Sequence, residues 1–351
     1  MLPSGIFFRS HAAELRYFRT VPQRIAIVLL LLVIAALPAL GNDYLTGILT
    51  TAAITIIAVA GLQITTGMAG LLNLGQSAFV GVGAFTAASL YTNYGVPVPI
   101  CLVMAGLMAG SVSILFSLPA MRIKGLYLAL TTIAAQVMLP IVVLRLPSSW
   151  FGGSAGIGID DVRIFGGSLS SPSSMYYLTM IVMALMLALA FNLGRSRTGR
   201  AFRAMRDNDI ASSVMGVNLA LHKVLAFFAG AMFAGVAGGL YAFYIRYVTI
   251  DQFTLWLSVW YVGMLIVGGL GSPLGAILGT LAITALQELV RAGGNLALGS
   301  MPQASGGVIF AATNVLLGAA IIFVLIVEPL GLTRRWNVLK SAYRIWPYPR
   351  A

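Results

Sequence analysis

Residues 45–64 read LTGILTTAAITIIAVAGLQI, twenty consecutive residues without a charged side chain. An α-helix of about 20 mainly apolar residues is long enough to cross the hydrocarbon core of a bilayer. Nine more apolar runs have the same character, at about 25–40, 68–91, 97–118, 125–146, 175–193, 223–245, 255–270, 273–290 and 308–327. The sequence therefore predicts an all-α polytopic membrane protein with about ten transmembrane helices.

The composition argues against most other classes of protein. Of the 351 residues, 59% are hydrophobic and only 9% are charged. Soluble domains are about 25% charged on average, so a soluble enzyme, a nucleic-acid-binding protein and a disordered chain all fit poorly. The net charge of +12 comes from Lys and Arg residues in a few short segments between apolar runs, which indicates membrane topology rather than a nucleic-acid partner.

The chain offers few residues for metal binding or catalysis. Its one cysteine, Cys101, lies within an apolar run, and its two histidines, His11 and His222, are far apart in sequence. A metal site is therefore not expected. Because no constellation of His, Asp, Glu and Ser stands within the apolar runs, we predict no catalytic residue and no metal ligand in this chain.

Basic residues form four groups: before the first run, after the run at 97–118, between the runs at 175–193 and 223–245, and in the C-terminal tail. Because cytoplasmic loops carry the excess of Lys and Arg, both termini are predicted to be cytoplasmic and the number of spans to be even. Ten spans satisfy this condition. Eight spans with two re-entrant segments, at the glycine-rich start of the 68–91 run and around 268–273, satisfy it as well.

These boundaries divide the chain into a cytoplasmic N-terminal segment (1–24), a single transmembrane domain (25–327) and a cytoplasmic tail (328–351). The transmembrane domain has an external loop at 147–174 and a cytoplasmic loop at 194–222. For the external loop, a plug or a contact with a binding protein and a simple solvated connection remain equally open.

The cytoplasmic loop contains the segment TGRAFRAMRDNDIASSVMG at residues 198–216. Thr198 can cap a first short helix, a residue among 207–209 can cap a second, and Gly216 can end it. The pattern predicts two short helices across the membrane surface, a rigid knob suited to docking on another protein. The alternative is a basic loop whose arginines contact anionic lipid headgroups.

The same loop resembles the EAA-type coupling segment of ABC importer permeases, and residues 197–211 resemble the branched-chain amino acid permease family of the LivM type. Four further segments agree with that family in the same order, at 70–85, 123–130, 151–157 and 267–279. The sequence also departs from the family pattern. Asp209 stands where relatives commonly have Glu, Ser212 and Ser213 replace a more alanine-rich or basic pair, and Gln76 fills a place often held by His.

The resemblance implies a permease of the type II ABC importer kind in the bacterial plasma (inner) membrane. It implies four kinds of partner: a second related permease subunit, two cytoplasmic ABC ATPase subunits, an extracytoplasmic substrate-binding protein and a small amino acid substrate. The chain has no G-x-x-x-x-G-K-[ST] phosphate loop, so it is not expected to hydrolyse ATP. ATP and Mg would bind to the ATPase subunits, and this chain would hold no cofactor.

Two groups of residues are candidates for function. The first would couple the permease to the ATPases and consists of Arg200, Arg203, Arg206, Asp207, Asp209, Ala211 and Gly216. The second consists of polar side chains within spans, which are costly in a membrane unless they face a cavity or find partners. These translocation-path candidates are Asn73, Gln76, Ser77, Thr132 and Gln136.

The path candidates Asn73, Gln76 and Ser77 lie at the start of a glycine-rich run, where a broken helix could present backbone amides to a substrate carboxylate. The alternative for every path candidate is interhelical hydrogen bonding that only holds the bundle together. Branched-chain amino acids are the first substrate hypothesis, and urea, short amides or sugars are the alternatives. A stand-alone carrier or channel is less favoured because no charged residue stands clearly at mid-membrane.

Overall fold

A computed structural model describes residues 37–121, 125–164, 167–169, 171–298 and 331–345, with isolated short groups between 311 and 326. The segment 1–24 and most of the predicted spans at 25–40 and 308–327 lie outside the described residues. The helices are α1 (Asp43–Leu62), α2 (Gln76–Tyr94), α3 (Val98–Ala120), α4 (Leu126–Arg145), α5 (Ser148–Phe151), α6 (Pro172–Arg195), α7 (Arg197–Asp207), α8 (Asp209–Val214), α9 (Leu219–Ile245), α10 (Leu255–Gly268), α11 (Pro273–Leu298) and α12 (Leu332–Ile345).

Within the described part of the chain, seven helical segments are long and apolar enough to cross a membrane. They are Asp43–Met68, Val98–Pro119, Tyr127–Arg145, Pro172–Arg195, Leu219–Ile245, Ile250–Gly268 and Pro273–Gly293. The all-helical fold is thus confirmed, and each of these segments overlaps a predicted span. The total of about ten spans and the location of the termini stay predictions.

The connection between α1 and α2 differs from the predicted span at 68–91. The chain continues α1 as a π-helical turn at Gln63–Met68 and becomes helical again only at Gln76. Gly70 adopts a positive φ of 71°, and the Oδ1 atom of Asn73 accepts a hydrogen bond from the Gly75 amide at 3.0 Å. This local turn lies directly before α2 and gives the Gly75 amide a side-chain acceptor in place of a helical partner, so the next helix begins only after it. The interruption agrees with the predicted broken helix.

Helix α9 lies at the centre of the bundle and packs against α1, α2 and α3. Two glycines let it do so. A Cβ atom on Gly238 would overlap the Val80 carbonyl oxygen of α2, and one on Gly235 would overlap the Ala105 carbonyl oxygen of α3. Close approach of backbones stabilises helix contacts in lipid, where the hydrophobic effect between helices is absent. The glycine content of the sequence therefore has a direct structural reason.

The bundle has two distinct ends, one at each terminus of α9. We define residues 196–216 as the knob. The knob precedes the first turn of α9, and we call the end of the bundle where it lies the knob end. At the other terminus, strand β4 (Tyr247–Val248) pairs antiparallel with β1 (Ile157–Gly158), which belongs to the predicted external loop. We call this the ladder end. The two loops that the sequence assigns to opposite sides of the membrane thus lie at opposite ends of a 27-residue helix.

The loop at the ladder end is folded onto the bundle. A second ladder joins β2 (Arg163–Ile164) to β3 (Gly167–Ser168). The Tyr91 hydroxyl, at the end of α2, donates to the Asp161 carbonyl at 2.8 Å and accepts from the Arg163 amide at 2.9 Å. The loop is therefore an ordered layer rather than a free connection.

Candidate coupling and translocation sites

The knob consists of the two short helices that the sequence predicts. The Ser196 hydroxyl accepts from the Gly199 amide at 3.1 Å and begins α7, and the Asn208 side chain accepts from the Ala211 amide at 3.0 Å and begins α8. Gly216, at φ 86°, follows the last turn. The first cap is Ser196 rather than Thr198, because α7 starts directly after α6 with a one-residue break. The predictions of the second cap and of the glycine stop are confirmed.

Two of the predicted coupling arginines bind the end of α6. Arg200 donates through Nη1 to the Arg195 carbonyl at 3.0 Å, and Arg203 donates through Nη2 to the Gly194 carbonyl. Carbonyls in the last turn of a helix have no partner within the helix, and basic side chains commonly satisfy them. Arg200 and Arg203 thus hold the knob in a fixed position relative to α6.

Arg206 points toward the transmembrane helices. Its Nη1 donates to the Gly67 carbonyl, at the end of the π-helical turn, at 2.7 Å. A Cβ atom on Gly70 would lie 2.7 Å from the Arg206 Cγ, and one on Gly271 would lie 2.8 Å from its Nη1. One side chain of the knob therefore touches the α1–α2 connection and the α10–α11 turn together. We call Gly67, Gly70 and Gly271 the glycine junction.

A side chain directly after α1 also bonds to the α10–α11 turn, next to the glycine junction. The Gln63 Nε2 donates to the Gly269 carbonyl at 3.2 Å and to the Ser272 carbonyl at 2.9 Å. The side chain of Gln63 is fully buried. The α1–α2 connection and the α10–α11 turn are thus joined to each other as well as to Arg206, so a displacement of one is expected to move the other.

The predicted coupling acids face the transmembrane body. Asp207 and Asp209 line a cavity of about 390 Å³ between the knob and the helices, together with Gly70, Leu128 and the buried Lys223. Asp207 also pairs with Arg206 at 3.3 Å, an exposed contact that contributes little to stability. Ala211 and Gly216 are exposed on α8 and after it.

An apolar surface on the knob was not predicted. Ile210, Val214 and Met215 are 71%, 82% and 84% exposed. They lie on neighbouring positions of α8 and its last turn, and we call them the apolar tip. The sequence did carry a signal, since apolar residues four apart in an otherwise polar loop share one helix face. Exposed apolar patches rimmed by polar residues mark interaction sites.

The path candidates form a buried hydrogen-bonded network rather than an open site. The Ser77 hydroxyl donates to the Gln136 Oε1 at 2.6 Å, and the Ser77 amide donates to the Ser258 hydroxyl at 2.9 Å. The Gln136 Nε2 donates to the Phe253 carbonyl. These bonds connect α2, α4 and the start of α10, and both Ser77 and Gln136 are buried.

The remaining candidates extend the same network. Asn73 donates to the Gln76 Oε1 at 2.9 Å, and Gln76 donates to the Ala58 carbonyl of α1 at 2.8 Å. The Thr132 hydroxyl accepts from the Leu74 amide at 2.9 Å. The amides of Gly75 and Ser77 are also occupied, by Asn73 and Ser258. They are therefore not open to a substrate carboxylate in this conformation, and the geometry favours the interhelical alternative.

A cavity of about 670 Å³ lies elsewhere, between α1, α10 and α11, and we call it the lateral cavity. Its lining extends from Asp43 and Tyr44 at the ladder end to Thr55 on α1 and Met264 on α10. The polar residues of the wall are Thr51, Thr55, Gln252, Thr254, Thr284 and Gln287. Polar side chains at membrane depth mark water-filled paths for solutes. None of the five path candidates lines this cavity.

The mouth of the lateral cavity carries charged groups. The Tyr44 hydroxyl donates to the Glu288 Oε2 at 2.6 Å, and the Arg291 Nη1 donates to the Glu288 Oε1 at 2.9 Å. Thr284, Glu288 and Arg291 recur along one face of α11, a helical spacing that the sequence does contain. The sequence interpretation missed it, because a Glu near the end of an apolar run is typical of a membrane interface.

The family profile described as branched-chain amino acid transport system, permease component, matches residues 44–325. The high-affinity branched-chain amino acid transport system permease protein LivM of Escherichia coli K12 is 31% identical over 296 residues, covering 78% of this chain and 69% of that protein. The LivM protein of Salmonella typhimurium is 30% identical over the same length.

Other relatives have a different named solute. The autoinducer 2 import system permease protein LsrC of Klebsiella pneumoniae is 32% identical over 149 residues, covering 40% of this chain and 42% of that protein. No solved structure matches the chain. The family and the seven membrane-capable helices identify a transport component of the inner membrane rather than an enzyme. The chain belongs to the LivM-type branched-chain amino acid transport permease family.

Proposed function

We propose that this chain is the transmembrane permease subunit of an ATP-driven ABC importer for branched-chain amino acids. The observation that carries the proposal is the position of Arg206, which joins a rigid knob to the α1–α2 connection through the Gly67 carbonyl. This contact gives a mechanical route from a docking surface to the membrane helices. A chain that transported solute without a partner would have no evident need for it.

The proposed topology puts the knob end in the cytoplasm and the ladder end outside. Supporting it, the knob carries four arginines, Arg197, Arg200, Arg203 and Arg206, and the loop at 147–174 lies at the other end. Ten spans would then include those at 25–40 and 308–327, with both termini cytoplasmic. The domain boundaries at 1–24, 25–327 and 328–351 follow from this topology.

In the proposed mechanism, two ATPase subunits bind ATP and Mg and dock on the apolar tip. Their closure moves the knob, Arg206 transmits the movement to the glycine junction, and α1, α10 and α11 shift relative to one another. These three helices wall the lateral cavity, so the shift would alternate its access between the two sides of the membrane. A second, related permease subunit and an external binding protein complete the transporter.

If the ATPases dock on the apolar tip, charged substitutions in the tip should weaken the binding of the ATPases to this chain. Replacing Ile210 and Met215 by Asp should lower the amount of ATPase co-purified with this chain at least tenfold. Each fully buried apolar side chain is worth about 1.5–3 kcal/mol, and 1.4 kcal/mol is about a tenfold change in affinity. The matched control is Leu221→Asp, at a half-exposed apolar position in the first turn of α9. Full ATPase recovery with the double variant would instead support a tip that rests in lipid.

The substrate is tested by uptake into proteoliposomes that contain this chain, its partner permease, the ATPases and the binding protein. We expect ATP-dependent uptake of labelled leucine that disappears when this chain is omitted. The similarity to autoinducer 2 permeases favours a second candidate, a solute that is not an amino acid. Uptake of autoinducer 2, urea or a sugar without leucine would keep the mechanism and change the substrate. Uptake that persists without the ATPases would identify a carrier.

A further inference from the structure

We infer that the lateral cavity holds a free amino acid, with the charged groups at its mouth binding the α-carboxylate and α-ammonium and its aromatic wall binding an aliphatic side chain. The inference rests on the proposed function and adds a site to it. It replaces the five path candidates, which the hydrogen bonds of the bundle already occupy.

The mouth has the two charges that a zwitterion requires. Arg291 has five N–H donors in a planar fork that suits a carboxylate, and the bond to Glu288 uses only its Nη1 among the described contacts. Glu288 and Asp43 are the carboxylates of the lining, and each Glu288 oxygen accepts one bond in the structure and has a second lone pair for an ammonium group. Tyr44 holds Glu288 in place at 2.6 Å, so the acceptor is oriented before a ligand arrives.

The wall behind the mouth suits an apolar side chain. On α10, Leu257, Trp260, Tyr261 and Met264 line the cavity. Thr51 and Thr55, one turn apart on α1, stand among the polar residues of the lining. A volume of about 670 Å³ lies within the usual range for small-molecule sites, about 300–1,000 Å³. One amino acid and several waters fit in such a space.

The residues on the two faces of α11 support a ligand site rather than a simple ion pair on the protein surface. Four polar residues of α11 line the cavity: Thr284, Gln287, Glu288 and Arg291. Leu289, on the same helix, does not line the cavity and is 69% exposed. The helix thus presents polar groups to the cavity and an apolar side chain to the surroundings. An exposed pair of Glu and Arg three residues apart contributes little to helix stability, so stability alone does not explain their position at the mouth.

The test uses the complete reconstituted transporter and compares leucine with leucinamide, which lacks the carboxylate. Arg291→Gln should raise the KM for leucine at least tenfold, since bonds to charged groups are worth roughly that factor or more, and should remove the preference for leucine over leucinamide. Arg163→Gln is the matched control, an exposed arginine at the same end that does not line the cavity.

A second measurement reports occupancy without depending on the binding protein. The natural Cys101 is buried, so a Thr55→Cys variant supplies a thiol inside the cavity. Leucine should slow its modification by a small water-soluble thiol reagent, leucinamide should not, and Arg291→Gln should abolish the protection. Leu289→Cys, facing away, should be modified at the same rate with or without leucine.

The outcomes separate the two claims. Wild-type transporter without ATP-dependent amino acid uptake would defeat the proposed function. Normal leucine uptake, with an unchanged KM for Arg291→Gln and no protection at Thr55→Cys, would overturn the cavity site and leave the function standing. A raised KM with no protection would also overturn it, because the mouth would then act in docking the binding protein.

Discussion

Replacing Arg206 by Ala should reduce ATP-dependent uptake by the assembled transporter at least tenfold while the ATPase subunits stay bound. The Arg206 bond to the Gly67 carbonyl, at 2.7 Å, is the described polar link between the knob and the α1–α2 connection. Hydrogen bonds to charged groups are worth about 1.5–3 kcal/mol, and 1.4 kcal/mol corresponds to about a tenfold change. Uptake and ATP hydrolysis are measured on the same proteoliposomes, so that their ratio reports coupling.

The control for this experiment is Arg200→Ala. Arg200 lies on the same helix and is exposed, but it binds the Arg195 carbonyl at the end of α6. Because Arg203 still binds the Gly194 carbonyl of the same helix end, loss of Arg200 should leave the ratio close to that of the wild type. Loss of the ATPases with Arg206→Ala would instead make Arg206 a docking contact, as the sequence interpretation held. An unchanged ratio would show that the knob moves the helices by another route.

Replacing Gly238 by Val should prevent the chain from folding in the membrane. A Cβ atom at this position would overlap the Val80 carbonyl oxygen, and that oxygen belongs to the backbone of α2, which cannot turn aside as a side chain does. Overpacking usually costs about 1–3 kcal/mol, and we expect more here because α9 also contacts α1 and α3. The measurement is the yield of monodisperse protein in detergent, with an expected loss of at least tenfold.

The matched control is Gly293→Val in α11. Gly293 is exposed, and a Cβ atom there would meet nothing within 4 Å. Its variant should be recovered at nearly the wild-type level, because the side chain enters open space. Equal yields for the Gly238 and Gly293 variants would mean that α9 and α2 do not cross at Gly238.

The sequence predicted those parts of the fold that depend on local rules. An apolar run of fixed length predicts a span, so the helices at Asp43–Met68 and Leu219–Ile245 were expected within a few residues. A side-chain acceptor before a turn and a glycine after it predict a short helix, so α8 was expected between a cap at 207–209 and Gly216, and the structure places the cap at Asn208. Both rules depend only on residues close together in the chain.

The candidate site could be predicted only in part, because its contacts join distant residues. A polar residue in a span can line a path or bind a neighbouring helix, and the composition is the same in both cases. Ser77 is 181 residues from Ser258, and Arg206 is 139 residues from Gly67. The first contact makes a proposed path residue part of the packing, and the second makes a proposed docking residue a link to the helix bundle, with its side chain still partly exposed. Neither contact can be predicted from the residues that are close together in the chain.

The π-helical turn at Gln63–Met68, which follows α1, contains one residue more than an α-helical turn. In this turn the Ala69 amide bonds to the Ile64 carbonyl, five residues back, whereas an α-helix bonds four residues back. Conversion of the turn to α-helical spacing would advance the chain beyond it by about 1.5 Å and rotate it by about 100°. Movement at the Gly67 carbonyl, which Arg206 holds, would then occur as a discrete change of register, with no intermediate position.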